Sequence, residues 1–487
     1  MSTSSNNNKV NPQYSLSSVI MHADRFTNEE LTSSSESDSR LADFDITGQV
    51  LELLIYENME RHFLTGEITV TDNDGLFSDI QFQGTERITI GLSTTDKDST
   101  PMILNKNFIA YQIKKQVKDK GGKSSYFVIS LIDEHGFLGQ VTKISKSYNG
   151  SLERIVKSIC QSELGRQVDI SYTGAKASDD EFSAQQNITC IIPNMTPNQA
   201  LEWLCKRLTT ENGTPYYLFA TLNLPSITDG SSNSEVQADI NEGNIIKLSN
   251  LDFMLQQKPF SNNPYIYNPT STTRNTENPI QDSFVVREIE YGSSANTLKL
   301  LKLGAFSSDY ANTNLNTGEI TSVKYNLGDQ LSTMSKQNII ENENGAKQNV
   351  YDGEFILLTK KIEEFNSVKY HSVTSTGTYG NLKSYHDETD ESKFRMKVSS
   401  ASIKNLLNKN NITIVVDGST LMLGQACVGD KLDLVITSDN ISNSDIDSPT
   451  GMKDSRHSGE YLIYAVKHHF FGTSHSATCK LVSLESA

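Results

Sequence analysis

The sequence is short of the residues that usually announce chemistry. Its five cysteines, Cys160, Cys190, Cys205, Cys427 and Cys479, are scattered and form no C-x-x-C pair, so neither a zinc site nor a redox motif is expected and the thiols read as small buried hydrophobes. Positive charge is also scarce: 43 Lys and Arg against 59 Asp and Glu give a net charge of −16, which disfavours specific or general nucleic-acid binding through a basic face. No apolar run approaches the roughly 18 residues that span a bilayer, so no membrane insertion is expected. Met1 to Val10 is rich in Ser and Asn without an apolar core, unlike a signal peptide.

With a hydrophobic fraction of 36% and a mean hydropathy of −0.43, the chain predicts long polar loops around several modest cores. Its length of 487 residues points to roughly three units. Leu51, Leu53 and Ile55 alternate on one face of a strand, Leu64, Ile68 and Val70 repeat the alternation, and Ile88, Ile90 and Leu92 follow. This is a β-meander. Phe108 to Ile113 and Tyr126 to Ile132 extend it across Lys118 to Lys123, whose paired glycines suit a tight turn.

The period then changes from two to 3.6. Ser151 is placed to cap a helix bearing Leu152, Ile155, Val156, Ile159 and Cys160, with Gly165 at its end. Thr196-Pro197-Asn198-Gln199 combines an N-cap, a first-turn proline and a capping-box glutamine ahead of Leu201, Leu204, Cys205 and Leu208, with Lys206 and Arg207 at the negative end of the helix. Tyr216 to Phe219 reads as a buried strand. Strand character returns at Phe284 to Tyr291 and Thr297 to Leu303, a helix is predicted over 392–408, and Met334 to Ile340 carries some helical pattern. Strands follow at Ile412 to Val416, then a turn at Asp417-Gly418, then Leu432 to Ile436, Tyr461 to Val466 and Ala477 to Val482.

The reading is therefore α+β, mainly β. It divides into a disordered or partner-ordered tail (1–43), a first β-unit (44–133), a small α/β unit (134–222), a polar linker or insertion (223–282), a second β-unit (283–330 plus 392–487) and an insertion (331–391).

Chemical motifs fail on inspection. Asp72-Asn73-Asp74-Gly75 looks like calcium ligands, but Val70 stands where the first acid of an EF-hand belongs and Gln81 where its glutamate belongs, so a turn is predicted. Gly121-Gly122-Lys123-Ser124 lacks the first glycine of a phosphate loop, replaced by Val117, and joins two strands. His468 and His469 point to opposite faces of a strand, with His475 across a hairpin, and cannot easily share one ion. Glu57 and Glu60 are a conceivable carboxylate pair, and Trp203 is a packing anchor. No catalytic, cofactor-binding or metal-binding residue is assigned, and no cofactor is expected.

Ile55-Tyr56-Glu57-Asn58 with Thr65-Gly66-Glu67-Ile68 and Asp72 to Leu76, Thr196-Pro197 with Ala200 to Leu204, and Val428-Gly429-Asp430 with Ser458-Gly459-Glu460-Tyr461 through His468 resemble, in pattern and order, the baseplate hub proteins of contractile-tailed bacteriophages. The likeness is to the T-even hub type, related to the hub part of type VI secretion spikes. It implies two tube-type β-barrels per chain and a homotrimer with six similar barrels around a DNA channel. It implies a central spike protein and tail-tube initiator proteins as partners, with tape-measure and baseplate wedge proteins as further candidate neighbours. The expected location is the virion tail baseplate, assembled in the host bacterial cytoplasm, and the expected role is symmetry adaptation without catalysis. A receptor- or carbohydrate-binding tail protein and a cell-wall or capsule hydrolase are the alternatives.

Overall fold

The computed structural model describes residues 14–24, 41–73, 75, 82–94, 103–118, 125–171, 187–210, 213–222, 245–267, 284–292, 297–302, 304, 306–315, 318–327, 339–341, 347–349, 368–374, 391–407, 410–423, 426–437, 454, 457–472 and 474–483. The turn expected at Lys118 to Lys123 and the segment Gly121 to Ser124 lie largely outside them, as does most of Met334 to Ile340.

The first β-unit holds β1 (Tyr14–Asp24), β2 (Leu41–Asp45), β3 (Val50–Asn58), β4 (Thr65–Asp72), β5 (Glu86–Thr94), β6 (Ile103–Lys118) and β7 (Ser125–Asp133). They are hydrogen-bonded in the order β3-β4-β7-β6-β5-β1-β2, all antiparallel. The alternation read from sequence is realised for Leu53, Ile55, Leu64, Ile68, Val70, Ile88, Ile90 and Leu92, all buried inside, but not for Leu51, which a bulge between Val50 and Glu52 leaves exposed. β1 corrects the boundary drawn at residue 44. Val19, Met21 and Ala23 do alternate inward, but a bulge between Leu16 and Ser18 breaks the period that would have shown it.

The interior of this unit is filled. Ala220 and Leu222, at the exit of the α/β unit, and Met422 from the C-terminal part of the chain pack into its core. Lys106 is buried there too, its Nζ 3.5 Å from the Thr221 carbonyl, and burial lowers its pKa to about 8.

The α/β unit follows with α1 (Glu134–Val141), β8 (Ile144–Ser151), α2 (Leu152–Glu163), β9 (Gln167–Ser171), β10 (Asn187–Met195), α3 (Pro197–Cys205), β11 (Tyr216–Ala220), β12 (Ile245–Asn250) and α4 (Leu251–Gln256). Both predicted caps form. Ser151 accepts from the Arg154 amide, Thr196 and Gln199 make the reciprocal capping box, and Gly165 has φ 65° beyond α2. β12 lies inside the stretch read as linker, and it pairs with β11 on one side and β9 on the other. Its partners are distant in sequence, which is why local pattern did not reveal it.

The remaining elements are β13 (Tyr265–Tyr267), β14 (Glu288–Tyr291), α5 (Thr297–Lys302), β15 (Ser307–Asn314), β16 (Ile320–Asn326), β17 (Ile339–Glu341), β18 (Lys347–Asn349), β19 (Val368–Thr374), α6 (Glu391–Leu407), β20 (Asn410–Asp417), α7 (Gly418–Leu423), β21 (Lys431–Ile436), β22 (Gly459–Phe471) and β23 (Ser474–Ser483). Two expectations change here. Thr297 to Lys302 is helical, since a short apolar run fits either state. Asp417-Gly418 opens a helix because Asp417 accepts from the Ser419 amide and hydroxyl, at 3.0 and 2.7 Å.

In the second β-unit the hydrogen-bonded path runs β14-β20-β23-β22-β21-β13. It returns on itself, because Ile266 of β13 donates to Phe284 and accepts from Val286, both at 2.9 Å, just ahead of β14. Ile414, Val416, Leu434, Ile463, Cys479 and Leu481 fill the space this encloses. β15, β16 and β19 form a separate sheet rather than part of this unit.

Gly66 shows how closely the first sheet is set. A Cβ there would lie 2.6 Å from the Leu54 carbonyl oxygen of the paired strand, which cannot move without breaking the ladder. Gly66→Ala is expected to lower the unfolding free energy by about 1–3 kcal/mol in urea titration, although the added methyl is apolar.

Candidate functional site

β22 belongs to both β-units. One edge pairs with β23 from Leu462 to Phe471, while the other edge is divided, carrying β21 at Gly459–Leu462 and β3 at Ala465–Phe471. The strands part at a fork. There the Ile463 amide donates to Asp430, the Gly429 amide to Ile463 and the Met59 amide to Tyr464, at 2.9, 2.9 and 3.0 Å. Gly429 has φ 91°, and a side chain there would strike Phe219.

A fork leaves backbone groups without ladder partners, and a buried unpaired N–H costs about 1–3 kcal/mol. Glu57 meets this need. It follows Leu53 and Ile55 on the inward face of β3, and its side chain is fully buried. Oε1 accepts from the Leu222 amide at 2.8 Å, and Oε2 faces the Val428 amide at 3.5 Å. His468 Nε2 lies 3.3 Å from Oε1.

The network continues from His468 Nδ1 to His475 Nε2 at 3.1 Å. A carboxylate is an acceptor, so His468 donates to it through Nε2, and one of the two facing nitrogens, His468 Nδ1 or His475 Nε2, donates to the other. His475 Nδ1 is left buried without a hydrogen bond. The His475 ring stacks on Phe470 at 4.1 Å and lies against Gly418, where a Cβ would come within 2.4 Å of it. Burial, then the neighbouring His468 and His469, push its pKa well below the usual imidazole value. His469 points the other way and pairs with Glu52 at 2.9 Å, as the strand period requires.

A second buried set joins the first β-unit to the α/β unit. Asp133 caps α1 through the His135 amide and pairs with the buried Arg166. Burial would raise Asp133, but the Arg166 guanidinium and His135 outweigh it and hold the carboxyl well below the ordinary carboxylate range. Nearby, His62 meets Asn198 Oδ1 at 2.7 Å, and Asn198 donates to Gly136 at 3.0 Å. Desolvation lowers His62 to about 4.

His62 also lines a cleft of about 700 Å³ shared by the turn 58–63, α3, β11 and Lys404. Glu60 faces this cleft, whereas Glu57 is sealed inside the fork, so the two carboxylates do not form a working pair. The Glu57–His468–His475 chain resembles a proton relay in composition, and all three side chains are buried. Glu57 serves there as the acceptor of two backbone amides.

The other candidates fall into place singly. β4 ends at Asp72 and Gly75 has φ 78°, a turn geometry, while Asp74 lies outside the described residues. Trp203 packs beside the α/β core with the Arg207 guanidinium 3.9 Å over its ring. The five cysteines are free, and burial pushes the thiols of Cys160, Cys427 and Cys479 up. Among the described residues no group of three or more His, Cys, Asp or Glu is disposed to hold a metal. The fork was not foreseen, though the parity of Leu53, Ile55 and Glu57 carries its signal.

No protein-family model matches the chain, and no curated protein matches its sequence. Solved structures do resemble it over nearly its whole length. The tail protein of Neisseria meningitidis MC58 is 10% identical, with 97% of each chain covered and a TM-score of 0.46. The 43 kDa tail protein of prophage MuSo2 from Shewanella oneidensis is 10% identical, covering 96% of this chain and 98% of that one, with a TM-score of 0.42. A third, the c3393 protein of E. coli, is described as a type VI secretion component similar in structure to the gp27 and gp5 tail proteins of bacteriophage T4. It is 9% identical over 90% of this chain and 75% of its own, with a TM-score of 0.39.

Two measurements test the site. Glu57→Ala removes the acceptor shared by Leu222, Val428 and His468 and is expected to cost about 3 kcal/mol or more in urea unfolding, with Glu57→Gln costing less because one amide oxygen can still accept. His62 is buried neutral, and its folded pKa lies below the unfolded value of 6.5, so the unfolded chain takes up the proton first. Stability is therefore expected to fall as pH drops from 6.5 towards 4, by about 3 kcal/mol from His62 alone, and His62→Gln flattens that part of the profile.

Proposed function

We propose that the chain is a non-enzymatic structural hub at the baseplate of a contractile phage tail. Three copies would place six β-units in a ring, joining the central spike on one side to the tail-tube initiator proteins on the other and adapting threefold to sixfold symmetry. The observation that carries this reading is the pair of β-units held side by side in one chain by a shared strand. The pairing and its order along the sequence are those implied by the resemblance to hub proteins.

The filled interiors bear on the DNA path. The first unit is packed with its own side chains and with Ala220, Leu222 and Met422, and the second mostly with aliphatic residues, so among the described residues both interiors are filled. A channel would have to lie between copies, around the axis of the ring. A chain of net charge −16 suits a wall that repels DNA rather than retaining it. Wedge and tape-measure proteins would meet the outside and one end of such a ring.

Size-exclusion chromatography with light scattering on the purified chain is expected to give three times 54.0 kDa, and co-expression with the spike protein of the same tail should give one co-eluting assembly. A chain that stays at 54.0 kDa in the presence of that spike contradicts the reading.

A further inference from the structure

Lys247 of β12 and Cys427, in the segment leading into β21, stand 180 positions apart in sequence and meet beside the fork, with Nζ 3.5 Å from Sγ. Asp430 completes the group. Its Oδ2 accepts from the Cys427 thiol at 3.2 Å and from the Cys427 amide at 2.8 Å. Separate constraints bring the three together. β12 is held between β9 and β11, while the 427–430 turn is set by Gly429 at φ 91° and by the Val428 amide facing Glu57. Cys427 is 3% accessible, and Lys247 and Asp430 are half-buried, so the sulfur lies beneath two polar groups that reach the surface. Cys160 and Cys479, by contrast, belong to apolar cores.

At rest the thiol carries its proton, because burial and the Asp430 carboxylate push its pKa well above the ordinary value against the pull of Lys247. The Cys427 sulfur and, less strongly, Asp430 hold the Lys247 ammonium above its ordinary range, while burial acts against them. Oxidation changes this balance. A sulfenic acid is neutral, so the charge at sulfur that Lys247 answers is lost, and burial then favours the free amine. An amine already in contact with an electrophilic sulfur is the nucleophile best placed to capture it.

We propose that Lys247 and Cys427 form an oxidative cross-linking site, where a peroxide converts the pair to a sulfenamide that ties the α/β unit to the second β-unit beside the fork. In the first step the thiol attacks hydrogen peroxide, the O–O bond breaks, and sulfenic acid and one water result. In the second, Nζ attacks the sulfur, the S–N bond forms and the sulfenic oxygen leaves as a second water, with the remaining ammonium proton passing to Asp430. The thiol–amine pair loses two electrons and the peroxide gains them. The bond forms within one chain, whatever its assembly state.

The purified full chain, treated with hydrogen peroxide and digested without reduction, should yield a linked peptide containing Lys247 and Cys427 whose mass is about 2 Da below the sum of its parts, and dithiothreitol should split it. In urea the same treatment should give no linked peptide, since only the fold brings the two residues together. Lys247→Arg keeps the cation without the capturing amine, so the link should vanish and dimedone, which labels sulfenic acids, should mark Cys427. Recovery of Cys427 as an unmodified thiol from the treated wild type overturns the proposal. So does equal dimedone labelling of the wild type and Lys247→Arg, or a link that forms equally in urea. A linked pair about 14 Da above the sum of its parts retains an oxygen between the two residues and overturns the sulfenamide.

Discussion

One buried carboxylate makes the division of β22 tolerable. A strand that serves two units must release one partner and take up another on the same edge, and at that point the chain exposes amides that no ladder can reach. Glu57 brings acceptors from β3 to the Leu222 and Val428 amides and to His468. Three segments far apart in sequence converge on one side chain. Burial of a carboxylate is ordinarily unfavourable, and donors on both oxygens offset the loss of water. The two β-units are therefore coupled by chemistry at their seam and not only by apolar packing.

The same seam gathers the helical parts. Phe219 and Met254 of the α/β unit approach Gly429, while Met59, Tyr217, Leu406, Val428 and Tyr464 share a core distinct from those of the two β-units. α7 sits astride the division, with Met422 in the first core and Leu421 in the second. The Glu57 relay is buried, and the cleft beside it is bordered by a neutral His62 and an α3 surface whose Glu202 and Lys206 pair with each other at 2.7 Å.

Much of the fold was legible locally. The alternation in β3, β4 and β5, the cap at Ser151 and the capping box at Thr196 depend on neighbours within a few residues, and all appear where the sequence places them. What escaped depends on distance or on a broken period. β1 is interrupted by a bulge, β12 has partners reached only through the fold, and β13 has three residues whose meaning lies in pairing with β21 and Val285. Glu57 was weighed only as half of a carboxylate pair with Glu60, because residue type outweighed parity. Its neighbours Leu53 and Ile55 already pointed inward, and a charged residue continuing a buried face marks a site where backbone groups await an acceptor.

Hydrogen exchange at two amides tests the fork most directly. In the wild-type chain the Leu222 and Val428 amides, although outside any ladder, should exchange as slowly as those of β22, because opening either requires separating the two β-units. In Glu57→Ala both should lose protection together, and the neighbouring amides of Met59 and Gly429 with them. Fast exchange at Leu222 and Val428 in the wild type, or protection there that is indifferent to the substitution, would contradict the claim that Glu57 joins the units.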